Sequence, residues 1–257
     1  MFFTINIYSQ EQAEEMVPTA NEANKESKDP YSHFSPYKAN YLIFGNMDDQ
    51  VKAQLSFRYE TIRKTGIFLG YTQTMFWKLY DKSCPFAEIN YNPEIFWNFG
   101  DNLNYIQLGV YEHKSNGKGG LESRGWNRSY VQFQVSTGDS FNMGVNVKGF
   151  YIWDKADENK DIDGYSGYYE AKIFFRSLKF SIGDLIDKEE LYVRGGTGSA
   201  HFGFDYKKGW IEVGLKFRVL FKLLKPSLFV QGFYGYGESL IDYNKKDFSL
   251  RAGFMLE

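Results

Sequence analysis

The chain of 257 residues carries one cysteine, six prolines and three histidines. Cys84 alone cannot form an intrachain disulfide, so no covalent staple is available to the fold. No apolar run reaches the roughly 18 residues that a membrane-spanning helix needs, which excludes a helical membrane bundle. Neither sign of charge dominates. Thirty Lys and Arg against 32 Asp and Glu leave a net charge of −2, which gives no support to a nucleic-acid partner. The opening residues MFFTINIYSQ lack the basic n-region and sustained apolar run of a secretory leader. An exported chain needs such a leader, so it is expected upstream of Met1 or already removed.

What is abundant is aromatic: 24 Phe and 20 Tyr contribute most of a 19% aromatic content, and with so few prolines this favours strands. The mean hydropathy of −0.47 is low for a membrane protein. A membrane barrel is exempt from that objection, because its polar inner face dilutes the average.

Residues 9–37 are polar and mixed in charge and read as an arm, which divides the chain into an N-terminal periplasmic arm, 1–37, and a barrel, 38–257. Beyond Lys38 the pattern alternates with period two. Val51, Ala53, Leu55, Phe57 and Tyr59 share one face, against Lys52, Gln54, Ser56 and Arg58. Phe141, Met143, Val145, Val147, Tyr151 and Trp153 oppose Asn142, Gly144, Asn146 and Lys148. Ile211, Val213, Leu215, Phe217 and Val219 oppose Glu212, Lys216 and Arg218, and Phe248, Leu250, Ala252, Phe254 and Leu256 oppose Ser249 and Arg251. About twelve such segments, each of roughly 9–13 residues, predict an all-β fold, a single antiparallel up-and-down barrel, read as transmembrane with a soluble barrel holding a lipid in its lumen as the rival, since alternation alone does not say which face is outside. A barrel of that width is too wide for an apolar filling, so the apolar faces are expected to meet lipid and the charged faces to line the lumen.

Short connections are expected at Gly100-Asp101-Asn102, Gly138-Asp139 and Lys207-Lys208-Gly209, and a solvated loop over Asp154–Asp163. Gly195-Gly196-Thr197-Gly198 lacks the Lys-Ser/Thr of a phosphate loop and reads as a strand end or turn. His33 and His201 are expected at the surface or rim, and Cys84 is expected to be an incidental loop thiol.

The chemistry concentrates in YEHKSNGKGGLESRGWNRSY, Tyr111 to Tyr130. In a strand His113 and Ser115 point to one face, with Cα atoms about 6.5–7 Å apart. Gly117, Gly119 and Gly120 supply a turn, and a hairpin centred near Gly120 brings Asn127 opposite His113. Ser115 is then the candidate nucleophile, His113 its base and Asn127 the amide that orients the imidazole. Asn127 shares its face with Val131, Phe133 and Val135, which places the group on the outer wall. The preceding strand is less regular, since Ile106, Leu108 and Val110 fall out of phase with His113. Gln73 lies on another apolar stripe with Leu69, Tyr71, Met75 and Trp77, where pairing with a second copy would satisfy its amide.

The stretch H-x-S-N-G followed by S-R-x-W-N-R resembles the signature of the outer membrane phospholipase A family. The similarity extends through KANYLIFG, the Tyr71–Trp77 stretch, NYNPEIF at Asn90–Phe96 and YGESLIDYN at Tyr236–Asn244. The resemblance implies a twelve-stranded barrel of the bacterial outer membrane that hydrolyses sn-1 and sn-2 acyl esters of phospholipids as a Ca²⁺-bound homodimer. It also implies Gly117 as an oxyanion-hole backbone donor, and Ca²⁺ held by the Lys118 carbonyl, Ser123 and Ser83 of the partner subunit. Lys118 stands where an Arg is often found, and Phe254-Met255-Leu256-Glu257 departs from the aromatic C-terminal residue of many such barrels. The alternative is a passive porin or structural barrel without hydrolase activity.

Overall fold

The computed structural model describes residues 33–45, 51–101, 103–137, 142–176, 186–200, 203–219 and 227–256. They form β1 (Phe34–Pro36), β2 (Asn40–Gly45), β3 (Val51–Ile62), β4 (Ile67–Trp77), β5 (Phe86–Gly100), β6 (Tyr105–Ser115) and β7 (Gly125–Thr137). There follow β8 (Asn142–Lys155), α1 (Asp163–Ser166), β9 (Tyr169–Arg176), β10 (Ile186–Ala200), β11 (Gly203–Val219), β12 (Ser227–Tyr236) and β13 (Lys246–Leu256). From β2 onward each strand pairs antiparallel with the next, and β13 returns to β2 with Met255 opposite Tyr41. The result is a closed 12-strand barrel with one extra strand. That strand, β1, puts Phe34 opposite Tyr59 on the edge of β3 that β2 occupies further along. Phe34–Pro36, assigned to the arm on sequence, therefore pair with the wall.

Alternation sorts the side chains. Leu55, Phe57, Met143, Val145, Val147, Tyr151, Trp153, Ile211, Val213, Phe248, Leu250 and Phe254 are exposed on the outside. Lys52, Ser56, Lys148, Glu212, Ser249 and Arg251 are buried on the inside. No helix among the described residues is long and apolar enough to cross a membrane; here the strands do so. Closure matters because hydrocarbon offers no partner to a backbone amide, and a closed barrel has no unpaired edge.

Several charged groups in the lumen are paired. Glu112, 1% exposed, accepts from Arg128 Nε at 2.8 Å and Nη2 at 3.2 Å and from Lys148 Nζ at 2.9 Å. Glu238 receives Lys52 Nζ at 3.1 Å and Arg251 Nη1 at 2.5 Å. Glu238 belongs to the β12–β13 connection, which turns into the barrel: Leu240 and Ile241 donate their N–H groups to Glu88 of β5 at 2.9 and 2.8 Å. Leu240 and Tyr243 join Phe96, Trp126, Tyr130, Phe150, Ile152 and Ile162 in an apolar cluster.

The turn expected at Gly100–Asn102 is present in its described part, where Asp101 N–H donates to Asn104 O at 3.0 Å. Gly138-Asp139 and His201 lie outside the described residues. Lys207–Gly209 does not connect strands: it lies within β11, where the pairing shifts between Thr197 opposite Gly209 and Gly198 opposite Asp205. Gly195–Gly198 likewise runs inside β10. Both glycine signals mark a bulge that sequence alone does not separate from a turn. His33 is half-buried, stacked on Tyr59 with its Nδ1 2.7 Å from the Glu60 carbonyl oxygen, and Cys84 is exposed as expected.

Removing one member of a buried charge cluster strands the others. Glu112→Ala is expected to lower the unfolding free energy by about 3–5 kcal/mol, measured by denaturant titration in lipid vesicles. A loss below about 1 kcal/mol would mean that the cluster is solvated.

Candidate active site

In a meander, alternate connections share a rim. The β4–β5, β6–β7, β8–β9 and β12–β13 connections therefore lie at the same end of the barrel. The candidate residues sit there, on the β6–β7 hairpin.

In β7 the alternation is unbroken: Arg128 and Tyr130 point inward, and Asn127, Val131 and Phe133 point outward. β6 contains the irregularity visible in the sequence, and the structure gives its cause. Gly109 pairs with Tyr130, but Glu112 pairs with Arg128, so three steps on β6 match two on β7. The same extra residue appears against β5, where Phe96 faces Gly109 and Ile95 faces Tyr111. This β-bulge at Val110–Tyr111 inverts the phase of the strand. Ile106, Leu108 and Val110 point outward before it; after it, Glu112 points inward and His113 and Ser115 lie on the outer wall. The Ser129 hydroxyl donates to Val110 O at 2.8 Å and holds the bulge.

His113 and Asn127 are directly opposed, and His113 Nδ1 lies 2.7 Å from Asn127 Oδ1. An amide oxygen only accepts, so Nδ1 carries the proton and Nε2 is left with its lone pair. Ser115, two residues on, shares the face; among the described residues its hydroxyl makes no hydrogen bond with His113. In resting hydrolases this contact is often long and tightens around substrate. The His113 carbonyl accepts from Asn92 Nδ2 at 2.6 Å. The neighbouring Pro93 has no N–H to offer β6, and the side-chain amide takes over.

The loop after Ser115 is organised by Asn116, which is buried. Its Oδ1 accepts from the N–H groups of Lys118 at 3.2 Å and Arg124 at 3.0 Å, its Nδ2 donates to Glu122 O at 2.8 Å, and its own N–H donates to Arg124 O at 3.0 Å. Gly117 has φ +65°, and a Cβ there would lie 2.8 Å from the ring of Tyr91, the residue opposite Ser115. Among the described residues nothing hydrogen-bonds the Lys118 carbonyl or the Ser123 hydroxyl. Both oxygens are available to a hard cation, and among the described residues no cluster of three or more acidic, His or Cys side chains competes for one. Ser83 is exposed in the β4–β5 connection, with φ +72°.

The loop at Asp154–Asp163 keeps Asp157, Glu158, Lys160 and Asp161 exposed, as expected of a solvated loop, but it is also anchored in the rim. Asn159 is fully buried and grips Gly125, accepting its N–H at 3.1 Å and donating to its carbonyl at 3.0 Å. Tyr243 donates a short hydrogen bond to Asp161; burial, with that carboxylate beside it, holds the Tyr243 hydroxyl well above the usual phenol range. Arg124 lies 5.9 Å from the Tyr243 ring, which links this support to the candidate loop. Sequence reasoning passed over Asn92, Asn116, Asn159 and Asp154. Asparagine is common in loops, and nothing in spacing alone says that an amide is buried.

Asn116→Ala is expected to release the loop without unfolding the barrel. Amide exchange at Lys118 and Arg124 should speed up by at least about tenfold, the equivalent of roughly 1.4 kcal/mol. Unchanged exchange would show that Asn116 is not the loop's anchor.

Comparison with known proteins follows the geometry. The Phospholipase A1 family model matches residues 10–256. The phospholipase A1 of Salmonella typhimurium is 32% identical over 264 aligned residues, covering 90% of this chain and 84% of that protein. An active-site mutant of outer membrane phospholipase A from Escherichia coli superposes with a TM-score of 0.71 at 30% identity, covering 91% of this chain and 95% of that one. The Salmonella typhi outer membrane phospholipase, crystallised as a dimer with bound calcium, gives a TM-score of 0.69 at 31% identity, covering 87% of this chain and 92% of that one. A family model spanning nearly the whole chain, and solved relatives with the same closed barrel, lead to one conclusion: this chain belongs to the phospholipase A1 family.

Proposed function

We propose that this chain hydrolyses acyl ester bonds of phospholipids in the bacterial outer membrane, with Ser115 as nucleophile, His113 as general base and Asn127 as the amide that orients the imidazole. The observation that carries the assignment of roles is the 2.7 Å contact of His113 Nδ1 with Asn127 Oδ1 on a wall of exposed apolar side chains. A lipid in the bilayer reaches Ser115 sideways, without entering the lumen.

Ser115 Oγ attacks the ester carbonyl carbon, and its proton passes to His113 Nε2. The imidazolium is held by its Nδ1–H bond to Asn127. Collapse of the tetrahedral intermediate breaks the ester C–O bond, and His113 returns the proton to the departing lysophospholipid alcohol. Water then attacks the acyl-serine carbon, gives its proton to His113, and the fatty acid leaves as Ser115 is re-protonated. The Gly117 N–H, offered by a backbone in the left-handed region, is the proposed donor to the oxyanion.

The Lys118 carbonyl and Ser123 hydroxyl suit Ca²⁺, with Ser83 of the partner subunit as the proposed third oxygen. Bound there, the ion supplies positive charge beside the developing oxyanion. Dimerisation is further supported by Gln73 on the outer wall. Tyr71 donates to its Oε1 at 3.1 Å, while its Nε2 has no partner among the described residues. An amide N–H left facing lipid is costly, and a second copy would satisfy it.

Ser115→Ala is expected to reduce phospholipid turnover by at least about a thousandfold in a mixed-micelle assay, and wild-type-like turnover would end the assignment. Chelation of calcium should abolish turnover reversibly. Ser123→Ala should raise the calcium concentration for half-maximal activity by at least roughly tenfold; an unchanged calcium titration would remove Ser123 from the site.

A further inference from the structure

The orientation of Asn127 is itself fixed by a neighbour. Its Nδ2 donates to Asp154 Oδ2 at 2.7 Å, and among the described residues this is the hydrogen bond that Asp154 makes. A side-chain amide can rotate by half a turn and exchange its oxygen for its nitrogen at little steric cost. Rotated, Asn127 would present N–H donors to His113 Nδ1, which would then have to accept, and the proton would move to Nε2. The base would be lost. An ionised carboxylate has no proton to give, so only the NH₂ end of Asn127 can face Asp154. That leaves Oδ1 for His113.

The placement of Asp154 is built into the wall. Asn127 pairs with Asp154 whereas Arg128 pairs with Ile152, so Trp153 is an extra residue on β8. As at Val110 on β6, the bulge brings to the outer face a residue that simple alternation would send inward. Tyr111 and Trp153, at the two bulges, pack together with ring centroids 6.1 Å apart. Nearby Lys155 is engaged elsewhere, with Asp163 at 2.8 Å, and does not compete for Asp154.

We infer that Asp154 is a positioning residue for the hydrolysis: its carboxylate locks the Asn127 amide so that His113 is held with its proton on Nδ1, extending the relay to Ser115–His113–Asn127–Asp154. The inference rests on the proposed triad. It makes Asp154 act only through Asn127, without touching substrate.

The test is a double-mutant cycle in the full-length protein reconstituted in mixed micelles, with kcat and KM measured separately for Asp154→Asn and Asp154→Ala in the native and Asn127→Ala backgrounds. Heat-modifiable electrophoretic migration verifies that each barrel is folded. The expected result is a fall in kcat of about tenfold for either Asp154 variant, the worth of one charge-assisted hydrogen bond, with KM unchanged and no further fall in the Asn127→Ala background. Asp154→Asn keeps the shape and removes only the charge, so its effect separates locking from packing. In ¹⁵N spectra His113 should change from a single Nδ1–H tautomer to a mixture. A kcat within twofold of the parent, an effect confined to KM, or the same loss in both backgrounds would overturn the inference. The triad would survive any of these results as long as Ser115→Ala remained inactive.

Discussion

The wall of the barrel has to satisfy its own backbone. In hydrocarbon an unmade amide hydrogen bond has no water to turn to, and every strand from β2 to β13 therefore has a partner on each side, with β13 returning to β2. Closure then dictates the rest. The outer face must then be greasy, while the inner face carries charges set around buried aromatic side chains such as Phe96, Tyr130 and Phe150. The inner charges must compensate one another, as Glu112 does with Arg128 and Lys148, and Glu238 with Lys52 and Arg251. This is the reverse of a soluble barrel, and it explains how a chain of low mean hydropathy crosses a membrane.

Within that constraint, polar chemistry on the outer wall needs a device, because regular alternation would leave it inside or unsupported. Two bulges supply it. The extra residue in β6 carries His113 and Ser115 outward just after Glu112 has pointed inward, and the extra residue in β8 delivers Asp154. The side chains then satisfy one another laterally along the wall. Beneath them the rim is stiffened from the lumen side: Asn92 holds the His113 carbonyl, Asn159 holds Gly125, and the β12–β13 connection docks on Glu88 and Asp161. The site is exposed to lipid, but its scaffold is anchored in the barrel interior.

Much of this was legible in the residues. Strands such as 53–59 and 248–254 alternate without exception, so their faces followed directly, and the opposition of His113 and Asn127 followed from the symmetry of the hairpin about Gly120. What escaped has a common physical origin. Phase in a strand is a running count, and a bulge changes the count without a distinctive residue to announce it. That is why β6 looked irregular and why Lys207–Gly209 resembled a turn. Likewise a loop rich in Asp, Glu, Asn and Lys looks solvated until one asparagine, Asn159, finds both backbone groups of Gly125 to bind. Side-chain amides bonding to distant backbone leave no periodic trace, and the rim is held largely by such bonds.

Ser115 is the final residue of β6, and every loop that supports it belongs to the same end of the cylinder. On the proposed roles, the attacking oxygen therefore belongs to one rim of the barrel, and lipid reaches it from the leaflet that this rim meets. Such an enzyme is selective by leaflet before it selects by headgroup. A lipid's exposure to it is set first by transbilayer asymmetry, and scrambling of lipid between leaflets becomes a supply of substrate.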